Sequence, residues 1–272
     1  IIISDGNSTD ATKRKVRKLA SKNTQIMLLQ NPSLLSSSGR NVGFKNGRGE
    51  YFLVVDGHCR ILNNKFIINL VDCFKKSGAK CLGRPQPFII PNKLTMERAI
   101  ALARSSSLGH DKDSFIHSDK EGFVSPLSVG CAYKKEIFEK IGYVDESFDA
   151  CEDVEFNYRV EKAGFKSFFS PKIAVYYYPR KNLKGLFKQL VRYGEGRAWL
   201  IYKHPEMISY SVFLPMFFVI GIFIGPLFGL ISRAFIYLYF MVLFLYFVIL
   251  SAESFKLAKN NNLNFVIKII AV

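Results

Sequence analysis

Two long stretches near the C-terminal end carry no charged residue, and they constrain the fold more than any other feature. They cover residues 207–232 and 234–252, and only Arg233 separates them. Stretches of this length, rich in Phe, Ile, Leu and Tyr, can cross the hydrocarbon core of a bilayer. The sequence therefore predicts a membrane-bound protein with a tight hairpin of two spans whose ends are both cytoplasmic. A re-entrant pair is the alternative.

The chain is strongly basic, with a formal net charge of +16. Residues 172–203, directly before the first apolar stretch, hold eight Lys and Arg and a single acid, Glu195. A basic segment in this position is typical of the cytoplasmic side of a membrane, where anionic lipid headgroups attract it. No nucleic-acid-binding motif accompanies the charge, so we expect membrane lipids and no nucleic acid as partners. The five cysteines form no CxxC pair, which indicates reduced thiols facing the cytosol.

Short apolar segments of strand length alternate with helical patterns through the first 200 residues. The clearest helical pattern covers residues 65–76, with an apolar stripe at Phe66, Leu70 and Phe74. Such alternation predicts an α/β fold with a mostly parallel sheet and helices on both faces. We expect a catalytic domain over residues 1–204 that ends in a basic helix lying in the membrane interface. Residues 205–272 would form the transmembrane hairpin and the start of a further apolar segment.

Residues 51–55 form an uninterrupted apolar run that leads into Asp56, Gly57 and His58. A run of this kind predicts a strand buried on both faces, with a carboxylate and an imidazole at its C-terminal end. Ligands bind at that end of the strands in open α/β sheets. Asp56 and His58 could both reach one divalent cation. The alternative is a strand closed by an Asp turn beside a solvated His.

Four segments together carry a family resemblance, and they lie in the expected order over most of residues 1–200. They read SDGNSTDAT, GRNVGFKNGRGEYFLVVDGHC, VGCAYKKEIFEKIGYVDESFDACEDVEFNYRVEKAGFK and QLVRYGEGRA. The set resembles the family 2 glycosyltransferases of the GT-A fold, a Rossmann-like fold that binds nucleotide-diphospho-sugars. The similarity is greatest to membrane-anchored enzymes of exopolysaccharide (succinoglycan-type) biosynthesis. Since the chain begins in what resembles an interior strand, we expect an earlier strand to precede residue 1.

The resemblance implies a nucleotide-sugar site built from several loops. Asp5 would bind the nucleotide, since a carboxylate can accept the imide N–H of a base or a ribose hydroxyl. Arg40 and Asn41 match a pair that lies near the nucleotide in this family. Asp56 and His58 correspond to the DxD-type motif, which would hold a divalent cation, Mn²⁺ or Mg²⁺, on the donor diphosphate. Because His replaces the second Asp, the softer imidazole would favour Mn²⁺.

The resemblance also implies the catalytic and acceptor residues. Asp153 of the Glu152-Asp153 pair would be the general base, and Glu152 would lie on the acceptor or diphosphate side. The alternative is a pair of ordinary acids at a helix N-terminus. Gln189, Arg192 and Tyr193 lie on one helical face and match the QxxRW motif, which borders the acceptor and diphosphate. For Arg192, binding to lipid headgroups is the alternative.

These features predict an inverting glycosyltransferase on the cytoplasmic face of the cell membrane. It would move a sugar from a nucleotide-diphosphate donor to a lipid-linked saccharide in polysaccharide biosynthesis. One alternative is a processive polysaccharide synthase, although the Trp to Tyr change in the QxxRW motif weakens it. The other is a membrane-tethered protein that binds nucleotide sugars without turnover.

Overall fold

The computed structural model describes residues 1–110, 115–259 and 261–272 and alternates strands with helices. The first elements are β1 (Ile2–Asp5), α1 (Thr12–Ala20), β2 (Met27–Gln30), α2 (Ser36–Asn46), β3 (Tyr51–Leu53), β4 (Cys59–Arg60), α3 (Phe66–Ser77), β5 (Cys81–Gly83) and α4 (Met96–Ser105). They are followed by β6 (Gly122–Val124), α5 (Pro126–Val129), β7 (Gly130–Lys134), α6 (Lys135–Ile141), α7 (Glu152–Lys162), β8 (Ser167–Phe169) and β9 (Tyr176–Tyr177). The last helices are α8 (Leu183–Lys203), α9 (Tyr210–Ile224), α10 (Arg233–Ala258) and α11 (Leu263–Ile270).

The largest sheet has five strands in the order β3-β7-β5-β8-β6. Strand β7 runs antiparallel to both β3 and β5, while β5 and β8 are parallel and β6 is antiparallel to β8. Strands β1 and β2 form a separate parallel pair. The α/β class is confirmed, but the sheet is mixed and not mostly parallel. The difference comes from β7, which is inserted between β3 and β5 and is antiparallel to both of them.

Strand β3 is shorter and more exposed than its apolar sequence predicts. It ends at Leu53, pairs only with β7 among the described strands, and its side chains are half-buried. Val54 still donates its N–H to the Cys131 carbonyl at 3.1 Å, but Val55 is 39% exposed. The prediction of a strand buried on both faces over residues 51–55 is therefore wrong. Asp56 nevertheless follows the strand end closely.

Helices cover both faces of the five-stranded sheet, as predicted. Phe66, Leu70 and Phe74 of α3 pack with Leu82 and Ala132 on one face. On the other face, α2, α6 and α7 contribute to an aromatic cluster, whose buried members include Phe44, Tyr133, Phe138 and Phe156. Each large apolar side chain buried in these layers contributes about 1.5–3 kcal/mol. The two layers hold the strand ends in fixed positions.

The described chain divides into two compact units that are both discontinuous in sequence. The first contains Ile1–Ile89, His110–Tyr178 and Phe187–Trp199, and the second contains Ile90–Gly109, Pro179–Leu186 and Leu200–Val272. In the second unit, α11 buries Phe265, Val266 and Ile269 together with Ala99 of α4. Lys268 also donates to the Leu94 carbonyl at 2.9 Å. The division at residue 204 that the sequence suggests stays a prediction.

Two helical segments of the second unit are long and apolar enough to cross a membrane. They are Phe213–Leu230 and Arg233–Ala258, with mean hydropathies of 2.3 and 2.4, and neither is buried within the protein. Gly225 lies against the ring of Tyr239, and Gly229 lies against the side chain of Ile236. Small residues therefore let these segments approach closely, as is common between membrane helices. Both features indicate association with a membrane.

Candidate active site

A cavity of about 130 Å³ opens at one edge of the five-stranded sheet, and it brings together residues far apart in sequence. Its lining includes Asp56 after β3, Arg84 after β5, and Asp153 in the first turn of α7. Arg40 of α2 and Gln86 also line it. Two carboxylates that the sequence assigns to different steps of one reaction thus face a shared space.

A tight turn presents Asp56 and the residues that follow it. The Asp56 carbonyl accepts the N–H of Cys59 at 2.9 Å. Strand β4, which follows the turn, pairs with β9 in antiparallel orientation. Because the turn is closed by the backbone, the side chains of Asp56, His58 and Cys59 all point to one region. One ligand atom from each of the three lies within 4.8 Å of the other two.

Cys59 is a potential metal ligand that the sequence reasoning missed. Its thiol accepts a hydrogen bond from Gln86 Nε2 at 3.4 Å. Burial, together with the charge of Asp56, raises the pKa of the Cys59 thiol to about 11. The sequence signal for Cys59 is its position directly after the Asp-Gly-His triplet, but a thiol outside a CxxC pair matches no metal-binding motif. The three side chains supply an oxygen, a nitrogen and a sulfur donor.

Asp153 and Glu152 are adjacent in sequence but have different environments. Cys151, with a φ of 62°, turns the chain sharply into α7. Glu152 is buried, and its Oε1 accepts a hydrogen bond from Ser36 Oγ at 2.7 Å. The same oxygen forms an ion pair with Arg40 Nη2 at 3.1 Å. Burial raises the pKa of Glu152, although the charge of Arg40 opposes the rise. Asp153 is half-buried and lines the cavity, whereas the Glu152 carboxylate is bound by Ser36 and Arg40.

Arg40 connects the two acidic segments of the site. Its Nη2 lies 3.1 Å from Glu152 Oε1 and 3.6 Å from Asp56 Oδ1. Burial acts to lower the pKa of Arg40, but the charges of Asp153, Glu152 and Asp56 outweigh burial and raise it. One guanidinium therefore faces three carboxylates and offsets part of their mutual repulsion.

Asn41 and Asp5 do not line the cavity. The Asn41 amide donates to the Val144 carbonyl at 2.8 Å and to Glu146 Oε1 at 2.7 Å, and its oxygen accepts the Val144 N–H at 3.0 Å. These bonds occupy the amide, so the structure gives Asn41 a positioning role between α2 and residues 144–146. Asp5 ends β1 and accepts the Ser8 N–H at 3.1 Å, which lowers the pKa of its carboxyl.

Gln189 of α8 connects to the DxD-type segment through an aromatic chain. Its Nε2 donates to Tyr177 Oη at 3.0 Å and to Tyr193 Oη at 2.8 Å. The Tyr177 ring in turn contacts the His58 ring edge-to-face, with centroids 4.7 Å apart. Tyr193 is 41% exposed and Gln189 is buried. The structure therefore brings part of the predicted QxxRY motif beside the predicted metal ligand.

Arg192 lies on the same helix but has a different partner. Its guanidinium contacts the Asp149 carboxylate, with Nε to Oδ2 at 2.8 Å and Nη2 to Oδ1 at 3.1 Å, and it also contacts the Asp149 carbonyl. A two-point contact of this kind fixes both side chains. Asp149 precedes the Glu152-Asp153 pair by a few residues, so Arg192 holds the segment from which α7 begins.

The fold is of the GT-A type. A mannosyltransferase from Pyrobaculum calidifontis, solved with GDP-Man and Mn²⁺, superposes with a TM-score of 0.53 at 16% identity, covering 79% of this chain and 57% of that one. The family model described as "Glycosyltransferase like family 2" matches residues 1–196. The chain belongs to this family.

Two relatives share about 30% identity with the chain. The succinoglycan biosynthesis protein ExoA of Rhizobium meliloti (strain 1021) is 30% identical over 223 residues, which are 79% of this chain and 65% of that protein. The Methanococcus voltae dolichyl N-acetyl-alpha-D-glucosaminyl phosphate 3-beta-D-2,3-diacetamido-2,3-dideoxy-beta-D-glucuronosyltransferase is 31% identical over 211 residues, 75% of this chain and 64% of that protein. The chain thus spans slightly less than two thirds of each relative.

Proposed function

We propose that this chain transfers a sugar from a nucleotide-diphosphate donor to a lipid-linked saccharide in polysaccharide biosynthesis, with inversion at the anomeric carbon. The observation that carries the proposal is the single cavity lined by Asp56, Asp153 and Arg40. Sugar transfer needs a charged leaving group to be stabilised and an acceptor hydroxyl to be deprotonated in one place. By their names, one relative acts in succinoglycan biosynthesis and the other acts on a dolichyl-phosphate-linked sugar. Both names support this substrate class.

The donor set around Asp56 fits a divalent cation. A carboxylate oxygen, an imidazole nitrogen and a thiol sulfur lie within 4.8 Å of one another. Asp56 and His58 would hold the cation, with Cys59 as a third ligand. When bound, a divalent cation would neutralise the charge that grows on the departing diphosphate. This donor set is softer than a pair of carboxylates and favours Mn²⁺ over Mg²⁺.

Asp153 is the proposed general base. It lies in the first turn of α7, where the helix dipole stabilises a negative charge. Its carboxylate would accept the proton of the acceptor hydroxyl as the hydroxyl oxygen attacks the anomeric carbon. Attack from the face opposite the leaving diphosphate inverts the configuration. Glu152 and Arg40 would position Asp153 and hold its surroundings without contacting the acceptor.

The remaining polar residues are proposed to bind the two substrates. The Asp5 carboxylate, at the end of β1, would accept a hydrogen bond from the nucleotide. Tyr193, which is partly exposed, would contact a sugar face of the acceptor, held in place by Gln189. Arg192 would act indirectly, because its guanidinium is paired with Asp149.

We place the protein in the cell membrane with residues 1–204 as the catalytic domain on its cytoplasmic face. The two apolar helices support an anchor over residues 205–272. Phe187, Leu190 and Val191 of the basic helix α8 are between 44% and 69% exposed, as expected for a helix that binds the membrane interface. A lipid-linked acceptor would then diffuse in the same membrane as the enzyme.

A nucleotide-release assay tests the proposed function. Purified full-length protein in lipid nanodiscs is mixed with a panel of nucleotide sugars, membrane lipid extract and either Mn²⁺ or Mg²⁺. We expect one donor to release free nucleoside diphosphate, and we expect EDTA to stop the release. The absence of release with every donor, although at least one donor binds, would favour the non-catalytic binding protein.

Replacing Cys59 by Ser tests the third ligand. We expect the wild-type protein to bind Cd²⁺ with a thiolate-to-metal absorption band, and Cys59→Ser to lose that band while retaining Mn²⁺-dependent release. The half-buried Cys151 provides a matched control, since Cys151→Ser should keep the band. A band that survives in Cys59→Ser and disappears in Cys151→Ser would contradict this ligand assignment.

A further inference from the structure

Arg84 is a buried cation that has no carboxylate partner in the part of the chain that the structure describes. It is only 5% exposed and lines the cavity. Its Nη2 donates to the Val54 carbonyl at 3.2 Å, while its Nε and Nη1 have no hydrogen-bond partner. Among the described residues, no carboxylate lies within ion-pair distance of its guanidinium. The sequence reasoning did not identify this residue.

An arrangement of this kind is costly for the protein alone. A buried charge that lacks a partner costs several kcal/mol in desolvation, and each unmet donor adds to that cost. Arg40, the other cationic side chain in the cavity, shows the contrast, because Glu152 and Asp56 lie 3.1 and 3.6 Å from it. Of the two arginines that line the cavity, Arg40 has carboxylate partners and Arg84 has none among the described residues. Buried unpaired groups of this type are typical of binding sites, where a ligand completes the pairing.

The position of Arg84 relates it to the proposed cation site. Its hydrogen bond reaches Val54, two residues before Asp56. Gln86, two residues after Arg84, donates to the Cys59 thiol at 3.4 Å. The segment that follows β5 therefore lies directly beside the Asp56, His58 and Cys59 cluster. A ligand group held at that cluster would be within reach of the open N–H donors of Arg84.

We propose that Arg84 binds an oxyanion of the donor and so determines which donors the cavity accepts. This inference rests on the proposed function. The oxyanion is either a phosphate oxygen of the diphosphate or a carboxylate on the transferred sugar, and both suit the planar donors of a guanidinium. Neutral ligands would leave the N–H groups of Nε and Nη1 without acceptors and would be bound more weakly.

The test uses the full chain in nanodiscs and the variants Arg84→Met and Arg84→Lys. Arg48→Met, at an exposed position, is the matched control. Thermal unfolding is measured without ligand and with Mn²⁺ plus one of three probes: inorganic pyrophosphate, UDP-glucose or UDP-glucuronate. Pyrophosphate reports phosphate binding without any base or sugar. The two UDP sugars differ in a single carboxylate.

Arg84→Met should unfold at a temperature roughly 2–4 °C higher than the wild type without ligand, because a buried unpaired charge is removed. If the oxyanion is a phosphate, the variant should bind Mn²⁺-pyrophosphate about 10–100-fold more weakly. If it is a sugar carboxylate, pyrophosphate binding should be unchanged and the preference for UDP-glucuronate over UDP-glucose should fall by a similar factor. Arg84→Lys should retain part of the affinity in either case.

Affinities for all three probes within twofold of the wild type in Arg84→Met would overturn the inference. A variant that unfolds at a lower temperature and loses affinity, with no recovery in Arg84→Lys, would also overturn it, since Arg84 would then support only the fold. A wild-type protein that none of the probes stabilises in the presence of Mn²⁺ would instead contradict the proposed function together with the inference.

Discussion

Replacing Asp153 by Asn is expected to lower sugar transfer about 1000-fold while donor binding stays within a few fold of the wild type. Asn occupies the same volume and can still accept hydrogen bonds, but it cannot take a proton from the acceptor hydroxyl. The loss should appear in kcat, because the group acts in the transition state and not in donor binding. Nucleoside diphosphate release gives kcat, and thermal stabilisation by the donor with Mn²⁺ gives the affinity.

The control for this variant is Asp72→Asn. Asp72 lies on α3, and its side chain is 51% exposed. Among the described residues, its ion-pair partner is the exposed Lys76, with Nζ 3.9 Å from Asp72 Oδ2. The same chemical change there should leave transfer unaltered. Transfer by Asp153→Asn at more than a tenth of the wild-type rate would mean that another group accepts the proton.

Replacing Arg40 by Met should destabilise the protein by about 3–5 kcal/mol, because it leaves buried carboxylates without their counter-charge. For a unit of this size the corresponding fall in Tm is roughly 6–20 °C. Glu152 carries most of this penalty, since its side chain is only 7% exposed and Arg40 Nη2 lies 3.1 Å away. Thermal unfolding of the full chain in nanodiscs measures the change.

The penalty of Arg40→Met should depend on pH with a definite sign. The pKa of Glu152 is already raised above its ordinary value of 4.5 by burial, and loss of Arg40 removes the charge that opposes the rise. At a pH between the ordinary pKa of 4.5 and the raised pKa, the folded variant still holds a proton on Glu152 that the unfolded chain has already released. Its stability should therefore fall as the pH rises through the raised pKa of Glu152, and it should recover toward pH 5.

Two observations would contradict this account of Arg40. Arg40→Met could unfold at the wild-type temperature, or its destabilisation could be the same at pH 5 and pH 8. The double variant Arg40→Met with Glu152→Gln separates the pair from other effects. Glu152→Gln keeps the shape of the side chain without its charge, so it should restore part of the lost stability and remove the pH dependence.

Local sequence signals were sufficient to predict most of the fold. Helix α3 covers Phe66–Ser77, close to the predicted residues 65–76. The apolar stripe of such a helix repeats every three to four residues, so it can be recognised directly in the sequence. Strand pairing depends on residues far apart in the chain. The antiparallel position of β7 and the short, half-exposed β3 were therefore missed.

The candidate site shows the same division between local and distant causes. Asp56, His58 and Asp153 could be proposed from the sequence because each lies in a motif beside a strand or helix end. Arg84 and Cys59 were missed because their significance comes from a shared cavity and from burial. Neither property is visible in a short segment. Glu152 and Asn41 were assigned to substrates, yet both are held by protein groups that lie more than a hundred residues away.

The most direct test of the central claim is a structure of the full chain in nanodiscs with Mn²⁺ and the donor that the release assay identifies. We expect the diphosphate at the Asp56 cluster with the cation on Asp56 and His58, a phosphate or sugar carboxylate oxygen of the donor on Arg84, and the anomeric carbon facing the Asp153 carboxylate. A donor bound outside this cavity, or one whose anomeric carbon faces away from Asp153, would contradict the claim that the two carboxylates serve one reaction.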